Sequence, residues 1–196
     1  MVKAAWFASY EPAQLPDKFD MTVQSWDSAS KESQLTDFSV CTTWGIKGKK
    51  IYLLHVFRKR VDYPNLKRAV RAQFDLYRPD ALLVEDMNSG VQLIQELRSE
   101  GIYGVHGIKP KGDKVMRMHA QTAVIENGMV FLPKEAPWLL DYVSELTSFP
   151  KAKYDDQVDS TSQALGWIKC GIWGDGMGVF LYCKQQHETN TAMGIR

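Results

Sequence analysis

Carboxylates gather at three places in this chain, and the densest gathering is Tyr154-Asp155-Asp156-Gln157-Val158-Asp159, just ahead of the apolar-periodic run Ser160 to Ile168. Like charges spaced this closely repel one another unless a cation or solvent separates them. On a helix of 3.6 residues per turn, Asp155 and Asp159 share one face, which Ser162 and Gly166 continue. Val158, Thr161, Leu165 and Ile168 fall on the opposite side and can pack, while Asp156 points to the flank. A structural reading competes: Asp155 is a helix N-cap, and the other two are first-turn acids that suit the helix dipole.

Two further acids stand at strand ends. Asp27 closes the alternating run Met21 to Asp27, and Glu85, with Asp86 beside it, closes the apolar run Ala81 to Val84. Each has a plain alternative, as a turn former or as charge at a helix start. Their joint occurrence with the Asp155–Asp159 group carries the argument. Carboxylates that converge without a compensating Arg or Lys call for a divalent cation, and an oxygen-only ligand set points to Mg²⁺ or Mn²⁺. Two such ions about 3.5–4 Å apart suit phosphodiester hydrolysis.

The elements that must position these acids follow from period and punctuation. Phe38 to Trp44 alternates as a second strand, Gly45 to Lys49 reads as a hairpin turn, and Ile51 to Phe57 is a third strand. Helical spacing follows from Asn65 to Tyr77, ended by Pro79. Ala81 to Val84 reads as a strand buried on both faces. Asn88-Ser89-Gly90 opens a helix closed by Gly101, and Val105 to Ile108 is a short strand. Val115 to Ile125 gives one helix ended by Gly128, Met129 to Leu132 is extended, and Pro137 starts a helix packing through Trp138, Leu139, Tyr142, Val143 and Leu146. The acid-led helix comes next, then a Gly-rich stretch and the extended run Val179 to Cys183. Residues 1–20 read as a leader or interdomain linker whose Trp6, Phe7 and Tyr10 can dock on the domain. Residues 21–184 form the domain, and 185–196 a flexible tail. This is an α/β order, a mixed central sheet with an antiparallel meander flanked by helices, as in the ribonuclease H-like fold. In such a sheet the first strand neighbours the fourth, so Asp27 and Glu85 emerge side by side.

Composition narrows the function classes. The 196 residues are 44% hydrophobic and 24% charged with net charge +1, an ordinary globular balance. No apolar run is long enough for a bilayer and no signal pattern opens the chain, so no membrane partner is expected and the reading is intracellular. Three widely spaced cysteines and four histidines without ligand spacing argue against disulfides and zinc. Lysines and arginines cluster at 47–50, 58–60 and 109–117, where they could meet a phosphate backbone or form solvated turns.

Several segments resemble, in order and spacing, the nuclease domain of phage and prophage large terminase subunits. These are Gln24 to Asp27, Asp37 to Gly45, Val84 to Gly90 with Leu93 to Leu97, Gly112-Asp113-Lys114 with Arg117, Glu126 to Pro133, and Tyr154 to Ser160. The resemblance runs from about Met21 to Ile168. It implies an endodeoxyribonuclease that cuts concatemeric double-stranded viral DNA during genome packaging in the host cytoplasm. It assigns metal ligation to Asp27, Glu85 and an acid of the closing motif, with Asp155 leading, Asp159 on the same face and Asp156 as rival. Lys114 and Arg117, together with Lys111, are placed near the DNA. In the full motor the partners would be an ATPase domain, the portal and the small terminase subunit.

One departure stands out. No GxxxxGK[ST] is present, so this polypeptide is not expected to hydrolyse ATP: it reads either as a separately encoded fragment or, preferably, as the nuclease part of a longer chain with residues 1–20 as the interdomain connection. Two other readings remain: another ribonuclease H-like nuclease such as a junction resolvase, or a non-catalytic DNA- or portal-docking module.

Overall fold

The structure is a computed structural model that describes residues 1–29, 37–87 and 89–173. The expected extended run Val179 to Cys183, the tail, and Asn88 lie outside the described residues. Among the described residues, seven strands form one sheet: β1 (Ala8–Tyr10), β2 (Met21–Asp27), β3 (Ser39–Lys47), β4 (Lys50–Lys59), β5 (Ala81–Glu85), β6 (Val105–Ile108) and β7 (Val130–Pro133). Their order across the sheet is β1-β7-β4-β3-β2-β5-β6. The meander β2-β3-β4 is antiparallel, β5 and β6 extend it in parallel beyond β2, and β7 and β1 do so beyond β4.

Helices cover both faces, the three-layer solution for a sheet apolar on both sides. On one face α1 (Tyr63–Tyr77) and α2 (Ser89–Ser99) bury Leu66, Val70, Leu93, Ile94 and Leu97 against Trp26, Leu82 and Val84. On the other, α3 (Lys114–His119), α4 (Thr122–Glu126), α5 (Leu139–Ser148) and α6 (Asp156–Trp173) meet Val23, Trp44, Leu53 and Leu83. Val158, Thr161, Leu165 and Ile168 of α6 are fully buried, as the helical spacing requires.

Three local expectations change. Ala8–Tyr10, within the expected leader, joins the sheet beside β7, and Tyr10 Oη donates to the Leu53 carbonyl at 2.8 Å. Too short to show a period, this strand is held by its neighbours. The hairpin turn is confined to Gly48-Lys49, with Gly48 at φ 56°, and Gly45 lies inside β3. A Cβ at Gly45 would stand 2.6 Å from the Phe19 ring, so this glycine answers a close approach and not a turn. The single helix expected over 115–125 is two short ones, with Ala120 and Gln121 at the junction.

Candidate active site

Asp27 and Glu85 are the last residues of two adjacent parallel strands, with Trp26 of β2 opposite Val84 of β5. The chain beyond each strand is fixed locally. Ser89 Oγ donates to the Ala29 carbonyl at 2.7 Å and meets Ser28 Oγ at 3.0 Å, tying the segment after Asp27 to the start of α2. A Cβ at Gly90 would lie 1.9 Å from the Glu85 carbonyl oxygen, so only glycine lets α2 begin this close to the Glu85 backbone.

Helix α6 brings the third group of acids, and its placement depends on a buried polar clamp. Ser160 Oγ donates to the Ser25 carbonyl at 2.8 Å, and Ser25 Oγ donates to the Ser160 carbonyl at 2.8 Å. Thr42 reaches Ser160 Oγ through its hydroxyl at 2.8 Å and its backbone N–H at 3.2 Å. Gln163 Nε2 donates to Ser25 Oγ and to the Trp26 carbonyl. The start of α6 is held from α5. Buried Glu145 accepts from the Gln157 backbone N–H and from Gln157 Nε2, each at 2.7 Å, and pairs with Arg58 at 3.3 Å. Ser25, Thr42, Ser160, Gln163 and Glu145 were not singled out by sequence. The available signal was a charge at 145 between the apolar positions Tyr142 and Leu146, and uncharged hydroxyls in the middle of a core strand.

The electrostatics show convergence. Burial raises the Asp27 carboxyl well above the usual range, reinforced by Glu85, Asp159 and Asp156, with Lys114 opposing. Glu85 is raised by burial and Asp159, while Arg117, Lys114 and a hydrogen bond with Asp27 pull it back. Asp156 is pushed up to about 6 by burial, Glu145 and Asp155, against Arg58 and Lys114. Asp156 has Glu145, Asp155 and Arg58 as its main charged neighbours and adds to the charge felt by Asp27. Asp155 is the more outward acid, with 38% of its side chain exposed against 5% for Asp159.

The expectation of uncompensated acids is corrected. Lys114 Nζ bridges Asp155 at 2.7 Å and Asp159 at 2.8 Å, and Arg117 reaches Asp159 at 2.6 Å. Burial lowers the Lys114 pKa, but the bonds to Asp155 and Asp159 outweigh this and leave it raised. The shared lysine does confirm that Asp155 and Asp159 lie on one face. Local chemistry builds the pair of cations. Gly112 takes φ 73°, Asp113 caps α3 by accepting from the Met116 N–H at 2.7 Å, and Lys114 and Arg117 follow on consecutive turns. Sequence spacing alone gave no sign that α3 lies across α6.

The donors are all carboxylate oxygens, the kind a hard divalent cation takes. In this conformation no three Asp, Glu, His or Cys side chains among the described residues stand close enough together to hold an ion. Asp159 is drawn to Lys114 and Arg117, so metal ligation by Asp159 requires that pairing to loosen.

Basic and aromatic groups flank the acids. On one side, Arg58 and Arg60 sit over the Phe38 ring at 3.9 and 4.1 Å, and Lys153 sits over Tyr154 at 5.0 Å. On the other, a cavity of about 510 Å³ runs from Glu85 and Asp159 to Trp167, with exposed Lys109 and Lys111 in its lining. Lys111 therefore stands at this rim, whereas Lys114 and Arg117 are engaged with acids. No described helix is long and apolar enough to cross a membrane.

A family model described as the terminase RNaseH-like domain matches residues 24–166. Among solved structures, the large terminase nuclease of thermophilic phage G20c with bound cobalt is similar at 14% identity and TM-score 0.63, covering 83% of this chain and 93% of that one. The Thermus phage P74-26 large terminase nuclease domain is similar at 12% identity and TM-score 0.61, covering 84% and 92%. The large terminase of a further thermophilic bacteriophage, solved in complex with ADP, gives 15% identity and TM-score 0.59. There 78% of this chain is covered, and the chain spans about 40% of that protein's length. At such identities the likeness shows the fold. The G20c nuclease has also been solved with bound zinc and with bound magnesium. No curated protein matches.

Proposed function

We propose, since the chain belongs to the family of terminase RNaseH-like domains, that it is a divalent-metal-dependent endodeoxyribonuclease that cuts concatemeric double-stranded viral DNA during packaging. The observation that carries this is that two adjacent strand ends and one helix bring Asp27, Glu85 and Asp159 close enough for Asp159 to help burial raise the carboxyls of both Asp27 and Glu85. Strand ends meeting a helix terminus give a rigid frame for a charged centre, and the basic groups on either side suit a phosphate backbone.

Asp27, Glu85 and Asp159 would hold the ion or ions, Mg²⁺ or Mn²⁺ in one- or two-ion form, with Asp156 and the outer Asp155 adding negative charge beside them. A divalent cation supplies charge neutralisation at the phosphodiester and lowers the pKa of an attacking water. The protein's part is placement. The Ser160 clamp sets Asp159 against Asp27, and Ser89 and Gly90 set Asp27 against Glu85. Lys114 offsets the charge of Asp155 and Asp159, and an ion held by Asp159 would take over that role and free the ammonium to meet a phosphate. Within a packaging motor in the host cytoplasm, the partners would be an ATPase domain, the portal and the small terminase subunit.

A second reading is favoured by one observation. Asp159 is already paired with Lys114 and Arg117, which suits a DNA- or portal-docking module whose acids are structural. Supercoiled plasmid incubated with Mg²⁺, Mn²⁺ or EDTA separates the two. Nicking and linearisation that require metal and vanish in Asp27→Ala support the nuclease. Plasmid that is bound but intact under both metals supports the docking module.

A further inference from the structure

We propose that the cavity beside the acids receives one unpaired nucleobase of the DNA strand being cut. This rests on the nuclease reading and specifies the form of DNA the site takes. The volume of about 510 Å³ falls within the range of roughly 300–1,000 Å³ typical of small-ligand sites. Its walls are mainly apolar, including Ile108, Met116 and half-buried Trp167, an indole on which a base of any identity can stack. A base can enter such a pocket only after leaving its pair and its stack.

One polar group in the lining points to a ligand. Gln121 is 6% exposed, and its Oε1 is buried without a hydrogen-bond partner among the described residues. A buried acceptor left unpaired is costly, so a donor is wanted there. The exocyclic amines of adenine, cytosine and guanine are such donors. Its amide nitrogen donates to the Arg117 carbonyl at 3.4 Å, so the amide is tethered to the helix that carries Lys114 and Arg117.

Charge fixes how the strand would run. Lys109, with 80% of its side chain exposed, and Lys111 supply cations for phosphates next to the seated base. Glu85 and Asp159 line the same cavity, so a sugar-phosphate leading out of it passes the acids. Apolar wall, aromatic face, unpaired acceptor and basic rim together match a nucleotide and not an apolar peptide. The chain should therefore favour DNA with a locally unpaired base near the scissile bond.

The test uses the full chain in EDTA, where no cleavage intrudes. Two otherwise identical duplexes carry 2-aminopurine, one with the probe paired and one with it bulged. The bulged probe should bind about tenfold tighter and lose fluorescence by stacking. Trp167→Ala should remove this preference while leaving affinity for the paired duplex unchanged. A second arm does not touch the tryptophan. Cys170 is an exposed thiol in the cavity lining, and N-ethylmaleimide on a Cys183→Ser background should block the pocket. The same treatment with Cys170→Ser added should not. Equal binding of both probes, or a preference that survives both Trp167→Ala and the maleimide, overturns the inference. If plasmid is still cut in a metal- and Asp27-dependent way, the nuclease reading survives that failure. If no DNA is bound and none is cut, both fall.

Discussion

The acids on the strands and the acids on α6 meet at one place but settle their charge differently. Asp27 and Glu85 are fixed to the ends of β2 and β5, have no ion pair with a cation among the described residues, and are raised by burial and by neighbouring acids. Asp155, just ahead of α6, and Asp159, in its first turn, can be answered by a second helix, and Lys114 and Arg117 do so at 2.6–2.8 Å. Backbone pairing prevents the strand acids from separating, so their repulsion is relieved only by a bound proton or by a cation. The helix acids are held by side chains that can let go. The drive to take up a cation therefore resides in the strand half, and the capacity to adjust resides in the helix half.

Breaking the strand half should have the largest effect. Asp27→Ala should lower metal-dependent plasmid cleavage by about a thousandfold or more, since a cation site worth several kcal/mol is lost. Circular dichroism should show an intact fold, because the substitution removes a buried charge and no packing. On the helix half, Arg117→Met strands nearly buried Asp159 with one cation and should cost about 2–3 kcal/mol in urea unfolding. The clamp that aligns the two halves comes next. Ser160→Ala leaves the Ser25 carbonyl without its Ser160 donor and should cost about 1–3 kcal/mol, with cleavage falling more than stability predicts.

The contrast also has a pH signature. Asp27, Glu85 and Asp156 have raised pKa values in the folded state, so the native chain binds more protons than the unfolded one. Their contribution to metal-free stability should be fully present below pH about 4 and decline as pH rises through the Asp156 value of about 6. A melting series in EDTA should show this decline, and Asp156→Asn should flatten it. Lys114→Met should have the smallest effect on stability, within about 1 kcal/mol, because the lysine is 47% exposed. Its effect on Mn²⁺ affinity should be opposite in sign, a severalfold gain. Equal stability losses for Lys114→Met and Arg117→Met would remove the distinction drawn between the two cations.

Much of this was legible in the sequence because period-2 and period-3.6 patterns report burial directly. The alternation of Met21 to Asp27 and the apolar Ala81 to Val84 put Asp27 and Glu85 on neighbouring strand ends, where the structure has them. The spacing of Val158, Leu165 and Ile168 gave the buried side of α6. What failed depends on helix-to-helix placement. Lys114 and Arg117 looked like a surface cluster because nothing in their own spacing encodes that α3 crosses α6. Ser160 and Glu145 were not singled out because polarity normally marks the exposed side, and here a clamp and a cap use it inside. Residues 8–10 were missed because a three-residue edge strand takes its shape from β7.

Isothermal titration of the metal-free chain with Mn²⁺, beside Asp27→Asn, tests the central claim most directly. The account predicts carboxylate-dependent binding that weakens at least tenfold in the variant, because Asn keeps the shape and removes the charge. Unchanged Mn²⁺ binding in Asp27→Asn, or none in the parent chain, would contradict it.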